Sequence, residues 1–149
     1  MKKARPGPQY FSDILDRIGI ETSTANRVAM AGYLDPARFK WVFFVDSFMF
    51  PFDNSALAAR NGDEAVYMPL QTKMLQRYEQ QIGVQGLPPS FDGYLAFISR
   101  SLEDNKRRGG IAVKFEASYF RSLSFDDPPR QAAASLYDKY RTGGVPTLD

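Results

Sequence analysis

The chain has 149 residues, with 19 Lys and Arg against 17 Asp and Glu, and it contains neither His nor Cys. Its hydrophobic fraction of 44% is sufficient for a core, so we expect a single domain over residues 1–149, with a flexible segment at 1–9. The missing residue types exclude disulfides, a thiolate nucleophile, a Ser-His-Asp triad and any metal site built on Cys or His. Chemistry is left to carboxylates, Lys, Arg, Tyr and Ser.

The charge balance does not favour a polyanionic partner. A formal net charge of +2 is too small for a nucleic-acid or membrane footprint. No apolar run approaches the roughly 20 residues of a spanning helix, and no apolar stretch of a secretory signal follows the basic start. We therefore expect a cytoplasmic protein that binds neither nucleic acid nor membrane.

The first half of the chain predicts two strands. Helical spacing of apolar residues predicts a short helix over 10–18, which Gly19 ends. β-branched residues favour a strand over 20–28, and Asp35-Pro36 is typical of a single helical turn. The aromatic run 39–46 then predicts a strand buried on both faces, as in parallel sheets.

The second half predicts helices around a third strand. Residues 47–68 are interpreted as a long irregular segment, followed by a helix that Pro69 opens and that runs to Ile82. Ser90 is expected to cap the next helix, and Gly109-Gly110 to end it. A strand over 111–118 and a final helix from Pro129 to Tyr140 complete the order. This alternation indicates an α/β fold with about three parallel strands and flanking helices.

Functional groups of parallel α/β folds gather where the strands end. On that rule the candidate substrate-binding residues are those that follow the predicted strands: Asn26, Arg27, Asp46, Tyr119 and Arg121. An Asp at a strand end also commonly caps the next turn, so a structural role for Asp46 stays open.

Lys114 and Glu116 are the candidate catalytic residues. They are two positions apart in a predicted strand, so their side chains should point to one face. A charged pair on a buried face must be compensated, and a buried Lys–Glu ion pair explains the pattern as well as catalysis does.

Two stretches resemble the amidohydrolase-related family. The first joins Ile18–Ile20, Ala25–Met30 and Arg38–Asp46 with Phe50-Pro51; the second runs over Gly110–Phe125 and continues into the helix that ends at Tyr140. The resemblance covers most of the chain from about Tyr10 onward, and it implies a (β/α)₈ barrel and a metal-dependent hydrolase or related lyase. The chain would then be a partial (β/α)₈ TIM barrel whose three strands correspond to the second, third and fourth.

The resemblance implies a site completed by residues outside this chain. It compares Lys114 with a fourth-strand lysine that bridges two metals when carbamylated, and leaves Glu116 as the fallback carboxylate. The family's His-x-His pair and its other His ligands have no counterpart here. We therefore expect the parent protein to use a divalent metal, Zn or Mn, on a small-molecule substrate. This chain alone should bind no metal and have no activity.

Two alternatives remain at this stage. The chain could be a non-catalytic α/β binding or scaffold module that completes its sheet as a homo-oligomer. It could also be a metal-free enzyme that uses Lys114 as a Schiff-base lysine.

Overall fold

The computed structural model describes residue 7 and the ranges 9–26 and 33–146 of the chain. The elements in chain order are α1 (Gln9–Arg17), β1 (Ser23–Asn26), β2 (Phe39–Phe44), α2 (Ser55–Ala58), α3 (Gly62–Gln81), α4 (Phe91–Arg107), β3 (Gly110–Lys114) and α5 (Arg130–Tyr140). Two short 3₁₀ helices, named here the Asp46 turn (Asp46–Met49) and the Ala117 turn (Ala117–Tyr119), follow β2 and β3 along the chain.

The three strands form one parallel sheet in the order β1-β2-β3. Ser23 pairs with Phe39 at one end, and Phe44 pairs with Lys114 at the other. The register shifts between Trp41 and Val42, where β3 pairs through Gly110 and then Ala112. The predicted α/β class, with three parallel strands and flanking helices, is confirmed.

The chain divides into two compact units. The first holds the residues up to Phe44 together with Asn105–Lys114, and therefore the sheet. The second holds Val45–Asp104 and the residues from Phe115 on, and therefore most of the helices.

The middle strand is buried on one face only. Trp41 and Phe43 are buried in the first unit, whereas Lys40, Val42 and Phe44 on the opposite face are only half-buried. The prediction that this strand is covered on both faces is therefore wrong. The apolar side chains of this run did not distinguish the buried face from the half-buried one.

The predicted irregular segment at 47–68 is also wrong in its second part, because α3 begins at Gly62 rather than at Pro69. Asn61 caps this helix, its side-chain oxygen accepting a hydrogen bond of 2.9 Å from the Glu64 N–H. Pro69 lies inside the helix at an exposed position. Proline has no N–H, so one backbone carbonyl of the preceding turn lacks its helical donor, and at an exposed position water can donate to it instead.

The third strand is shorter and more exposed than predicted. It ends at Lys114, and Glu116 follows it with φ −107° and ψ 6°, outside the extended region. The prediction that Lys114 and Glu116 point to the same face of one strand is therefore wrong, because the alternation of side chains along β3 ends before Glu116. Ile111 and Val113 are 57% and 48% exposed, so β3 is not an interior strand among the described residues.

Among the helices that the structure describes, none is both long and apolar enough to cross a membrane.

Candidate functional site

The Asp46 turn places a carboxylate in the interior of the second unit. The side chain of Asp46 is fully buried. The turn is held by Phe48, whose carbonyl accepts a hydrogen bond of 2.8 Å from the Tyr94 hydroxyl. The ring of Phe48 also stacks on Tyr78, with the centroids 5.0 Å apart. The aromatic core thus fixes the position of the turn.

Asp46 contacts the segment that follows β3. Its Oδ1 accepts a hydrogen bond of 2.7 Å from the backbone N–H of Glu116. Its Oδ2 is buried and has no hydrogen-bond partner among the described residues. One oxygen of Asp46 therefore holds the backbone of the Ala117 turn.

Tyr67 of α3 is the nearest phenol to this carboxylate. Its hydroxyl lies close enough to Asp46 to favour the charged carboxylate, although it does not reach hydrogen-bond geometry with Oδ2. The Tyr67 ring stacks on Phe120 at 3.6 Å between centroids and meets Phe50 edge-on at 6.5 Å. These two contacts hold the phenol against the Asp46 turn.

The surroundings shift the pKa of both groups. Burial raises the pKa of Asp46 above its ordinary value; the Glu116 N–H and the Tyr67 hydroxyl oppose this rise, and the charge of Glu116 adds to it. Burial, and then the charge of Asp46, raise the pKa of Tyr67 well above its usual range. A buried carboxylate with a raised pKa and a free oxygen can exchange a proton with a neighbouring group.

Further polar side chains are buried near the start of α3 and in the Asp46 turn. Glu64 is 1% exposed, Gln71 is 8% exposed and Ser47 is fully buried. Within the described ranges, Glu64 Oε2, Gln71 Oε1 and Ser47 Oγ have no hydrogen-bond partner. Since Glu64, Tyr67 and Gln71 follow helical spacing, they share the inward face of α3. Several unsatisfied buried groups on one face call for a functional or solvation role.

The two predicted catalytic residues lie in different environments. Glu116 is half-buried and its backbone binds Asp46, so the structure brings these two predicted residues together. Lys114 ends β3 in the first unit, with its Nζ 5.2 Å from the centroid of the Phe44 ring.

The predicted substrate-binding residues other than Asp46 are exposed where they are described. Asn26 ends β1 at an exposed position, and Arg27 lies outside the described residues. Tyr119 is 76% exposed. Arg121 donates from Nε to the Ser122 carbonyl at 3.0 Å and lies over the Phe125 ring at 4.5 Å. None of the contacts described for Tyr119 and Arg121 involves Asp46.

Sequence reasoning missed Glu64 and Tyr67 because both fall in the segment interpreted as irregular. It also missed Gln71, which lies in the helix predicted from Pro69 to Ile82. A signal was present in Asn61-Gly62-Asp63-Glu64, in which a capping residue is followed three positions later by Glu. From Glu64 onward, buried residues recur at helical spacing through Tyr67, Gln71 and Tyr78.

The described residues do not fit a resident divalent metal. No three His, Cys, Asp or Glu side chains come together within the described ranges, and the sequence has no His or Cys. The Nζ of Lys114 lies 5.2 Å from the centroid of the Phe44 ring. No catalytic step through a metal follows from this set of side chains.

Comparison with known proteins yields no significant match to a family model, to a curated protein or to a solved structure.

Proposed function

We propose that this chain is part of an amidohydrolase-related metal-dependent hydrolase built on a (β/α)₈ barrel. The activity would be hydrolysis of a C–N or C–O bond, or decarboxylation of a small acid. The strand arrangement supports the proposal: three parallel strands lie side by side in chain order, as successive strands of a barrel do. The exposed apolar side chains of β3 are consistent with a sheet that continues beyond this strand.

The hydrogen bond between Asp46 and Glu116 is the observation that carries the proposal. These residues come shortly after two neighbouring strands, and they are joined at 2.7 Å although 70 positions separate them. Barrel enzymes draw their catalytic residues from the ends of several strands. A buried carboxylate at this place has the position and the proton affinity of an acid–base group.

Each candidate residue has a role in this proposal. Asp46 holds or releases the proton at Oδ2, and Tyr67 limits the cost of its charge. Glu116 orients Asp46 through its backbone and adds a second carboxylate nearby. Lys114 is assigned a substrate contact, rather than a metal ligand, in the complete barrel. The metal ligands would come from strands outside this chain.

The sequence on either side of this reading frame in the genome tests the proposal. We expect a strand with His-x-His upstream and His-bearing strands downstream, in frame with this chain. In the joined protein, Asp46→Asn should lower kcat by about a hundredfold or more, the usual contribution of an acid–base residue. Stop codons with no such strands on either side would contradict the proposal, and so would tight stoichiometric uptake of Zn²⁺ or Mn²⁺ by the present chain.

A second candidate function is a non-catalytic binding or scaffold module that completes its sheet with a second copy. The exposed Ile111 and Val113 on β3 favour it, because an unpaired apolar edge invites another strand. The two candidates differ in the kind of association they predict. A defined oligomer that melts cooperatively fits the module, whereas open-ended aggregation fits part of a barrel.

A further inference from the structure

The second unit contains a cavity of about 600 Å³ beside the Asp46 turn. Its walls are mainly apolar and come from the loop after β2, from α3 and from the loop after the Ala117 turn; they include Met49, Phe50, Phe52, Leu57, Met68 and Phe120. A volume of this size falls within the range of small-molecule sites. Phe120 also stacks on Tyr67, so the cavity adjoins the aromatic contacts that hold the phenol near Asp46.

Two arginines, Arg60 and Arg121, line the cavity, and Asp126 is the carboxylate in the lining. Glu64 lies outside the lining but pairs with Arg60, so Arg121 is the stronger candidate for binding an anion. A planar carboxylate can accept two parallel hydrogen bonds from a guanidinium.

Both arginines are held in place by contacts that leave donors available. Arg121 donates from Nε to the Ser122 carbonyl and lies over the Phe125 ring. Arg60 is 48% exposed, and its Nη1 lies 3.5 Å from Oε1 of the buried Glu64. Since a guanidinium has five N–H donors, these contacts leave most of them for a ligand. Arginines positioned in advance lose less side-chain entropy on binding.

The apolar wall is likewise fixed before any ligand binds. The Asn54 side chain donates a hydrogen bond of 2.9 Å to the Phe50 carbonyl and thereby ties the loop after β2 to the start of α2. The Phe50 ring lies edge-on to Tyr67. The wall can therefore take up an apolar group without first having to order itself.

From these observations we propose that the cavity binds a small organic monoanion, a carboxylate on an aromatic or branched apolar body. The carboxylate lies at Arg121 and Arg60, and the apolar body lies against Phe50 and Phe120. The inference does not depend on the proposed function, because it needs neither a barrel nor a metal. Binding and catalysis can therefore fail separately in experiment.

A titration with three probes tests the recognition chemistry. Benzoate is added to the ¹⁵N-labelled chain, with benzamide as the neutral probe of the same shape and inorganic phosphate as the anion without an apolar body. We expect saturable shifts of backbone signals around the cavity with benzoate, and binding of benzamide and phosphate weaker by about tenfold or more. Equal binding of benzamide or of phosphate would overturn the proposal, and so would the absence of saturable shifts with benzoate.

Variants assign the anion to the arginines. Arg121→Gln should weaken benzoate binding by about tenfold or more, and Arg121→Lys should restore only part of it, since lysine lacks the fork of donors. Arg77→Gln is the matched control: Arg77 is exposed on α3, outside the cavity, and its replacement changes the net charge equally. Arg121 is exposed, so its variants should fold, and a thermal melt verifies this. Equal weakening by Arg77→Gln and Arg121→Gln would overturn the proposal.

Discussion

At the scale of single residues, Asp46 combines a structural contact with an unused acid group. Its Oδ1 accepts from the Glu116 N–H, and its Oδ2 has no partner among the described side chains. Asparagine has nearly the same shape and retains an oxygen that can accept from Glu116. The Asp46→Asn variant therefore separates the charge of the residue from its hydrogen bond.

We expect the stability of the protein to fall as pH rises through the titration of Asp46. Burial raises the pKa of Asp46 in the folded chain above its ordinary value of 3.8, so the folded state binds the proton more tightly than the unfolded state does. The resulting loss of stability begins near the ordinary pKa and is complete above the folded pKa. In Asp46→Asn this decline should disappear, and the variant should be at least as stable as the parent at pH 7. Urea unfolding between pH 3.5 and 8 measures it.

Two further variants test this interpretation. Asp46→Ala leaves the Glu116 N–H without its acceptor and should cost about 1–3 kcal/mol at low pH, with a smaller cost as pH rises and the parent loses stability. The Ser55 N–H lowers the pKa of Asp53, so Asp53 stabilises the folded protein at neutral pH and this stabilisation is lost as pH falls. Asp53→Asn should therefore remove a loss of stability at low pH, whereas Asp46→Asn removes a loss of stability at higher pH. The same pH profile for Asp46→Asn as for the parent would show that Asp46 does not titrate differently in the folded state.

At the scale of secondary-structure elements, one arginine joins α1 to the start of the sheet. Arg38 donates to the Ile20 carbonyl at 2.7 Å, to the Glu21 carbonyl at 3.2 Å and to Asp16 Oδ1 at 2.6 Å. Its side chain is only 21% exposed, whereas that of Asp16 is 65% exposed. The bonds to backbone carbonyls should therefore matter more than the ion pair.

Arg38→Met should destabilise the protein by about 1–3 kcal/mol, and Arg38→Lys should not restore the loss, because lysine cannot reach three acceptors at once. Asp16→Asn should change stability by less than about 1 kcal/mol. Amide hydrogen exchange should show the loss of protection mainly in α1. An equal cost for Asp16→Asn and Arg38→Met would mean that the ion pair, and not the backbone bonds, holds α1.

The start of β3 requires glycine at position 110. A Cβ there would lie 2.7 Å from two ring carbons of Phe43 and 2.8 Å from the backbone oxygen of Asn105. Gly110→Ala should therefore cost about 1–3 kcal/mol or more, since a backbone oxygen cannot move aside as a side chain can. Gly62→Ala is the control, because a Cβ there meets no atom within 4 Å and should change stability by at most about 1 kcal/mol. Chemical denaturation compares the two variants, and similar midpoints for both would contradict the packing described for Gly110.

The elements that sequence predicted well are those with local signals at both ends. The helix predicted over 10–18 is α1, and Ser90 caps α4, its Oγ accepting from the Gly93 N–H at 3.1 Å. The error at α3 arose because Pro69 was interpreted as a helix start, although the capping pattern at Asn61 precedes it. Proline at an exposed position inside a long helix has no sequence signal of its own.

From the sequence, only those residues of the candidate site that come just after a strand could be predicted. That rule selected Asp46 and Glu116, which the structure brings together. It could not select Tyr67, because that residue approaches Asp46 from a helix, through tertiary contacts that are distant in sequence. The exposure of Tyr119 and of β3 was equally hidden, since an apolar run does not reveal which of its faces is covered.

At the scale of the whole molecule, the most informative feature is β3, which pairs with β2 but with no other strand that the structure describes. Ile111 and Val113 on this strand are apolar and exposed, and the register with β2 passes over Ile111 between Gly110 and Ala112. The exposed apolar residues of α3, such as Leu70, lie instead on a helix, which offers no unpaired backbone groups. Association of this chain should therefore proceed through β3.

We expect the chain to self-associate at micromolar concentration. Ile111→Lys should weaken this association by about tenfold or more, because a lysine on an edge strand must be desolvated when another strand pairs with it. Leu70→Lys is the matched control: Leu70 is 54% exposed, close to the 57% of Ile111, so it makes the same substitution at similar exposure but away from the edge. Sedimentation velocity across a concentration series measures the association. A parent chain that stays monomeric, or equal weakening by the two lysines, would contradict a role for the β3 edge. If the associated form is one discrete species that melts cooperatively, the result favours the scaffold module. If the association grows without limit, the result favours part of a barrel, in which further strands would cover the β3 edge.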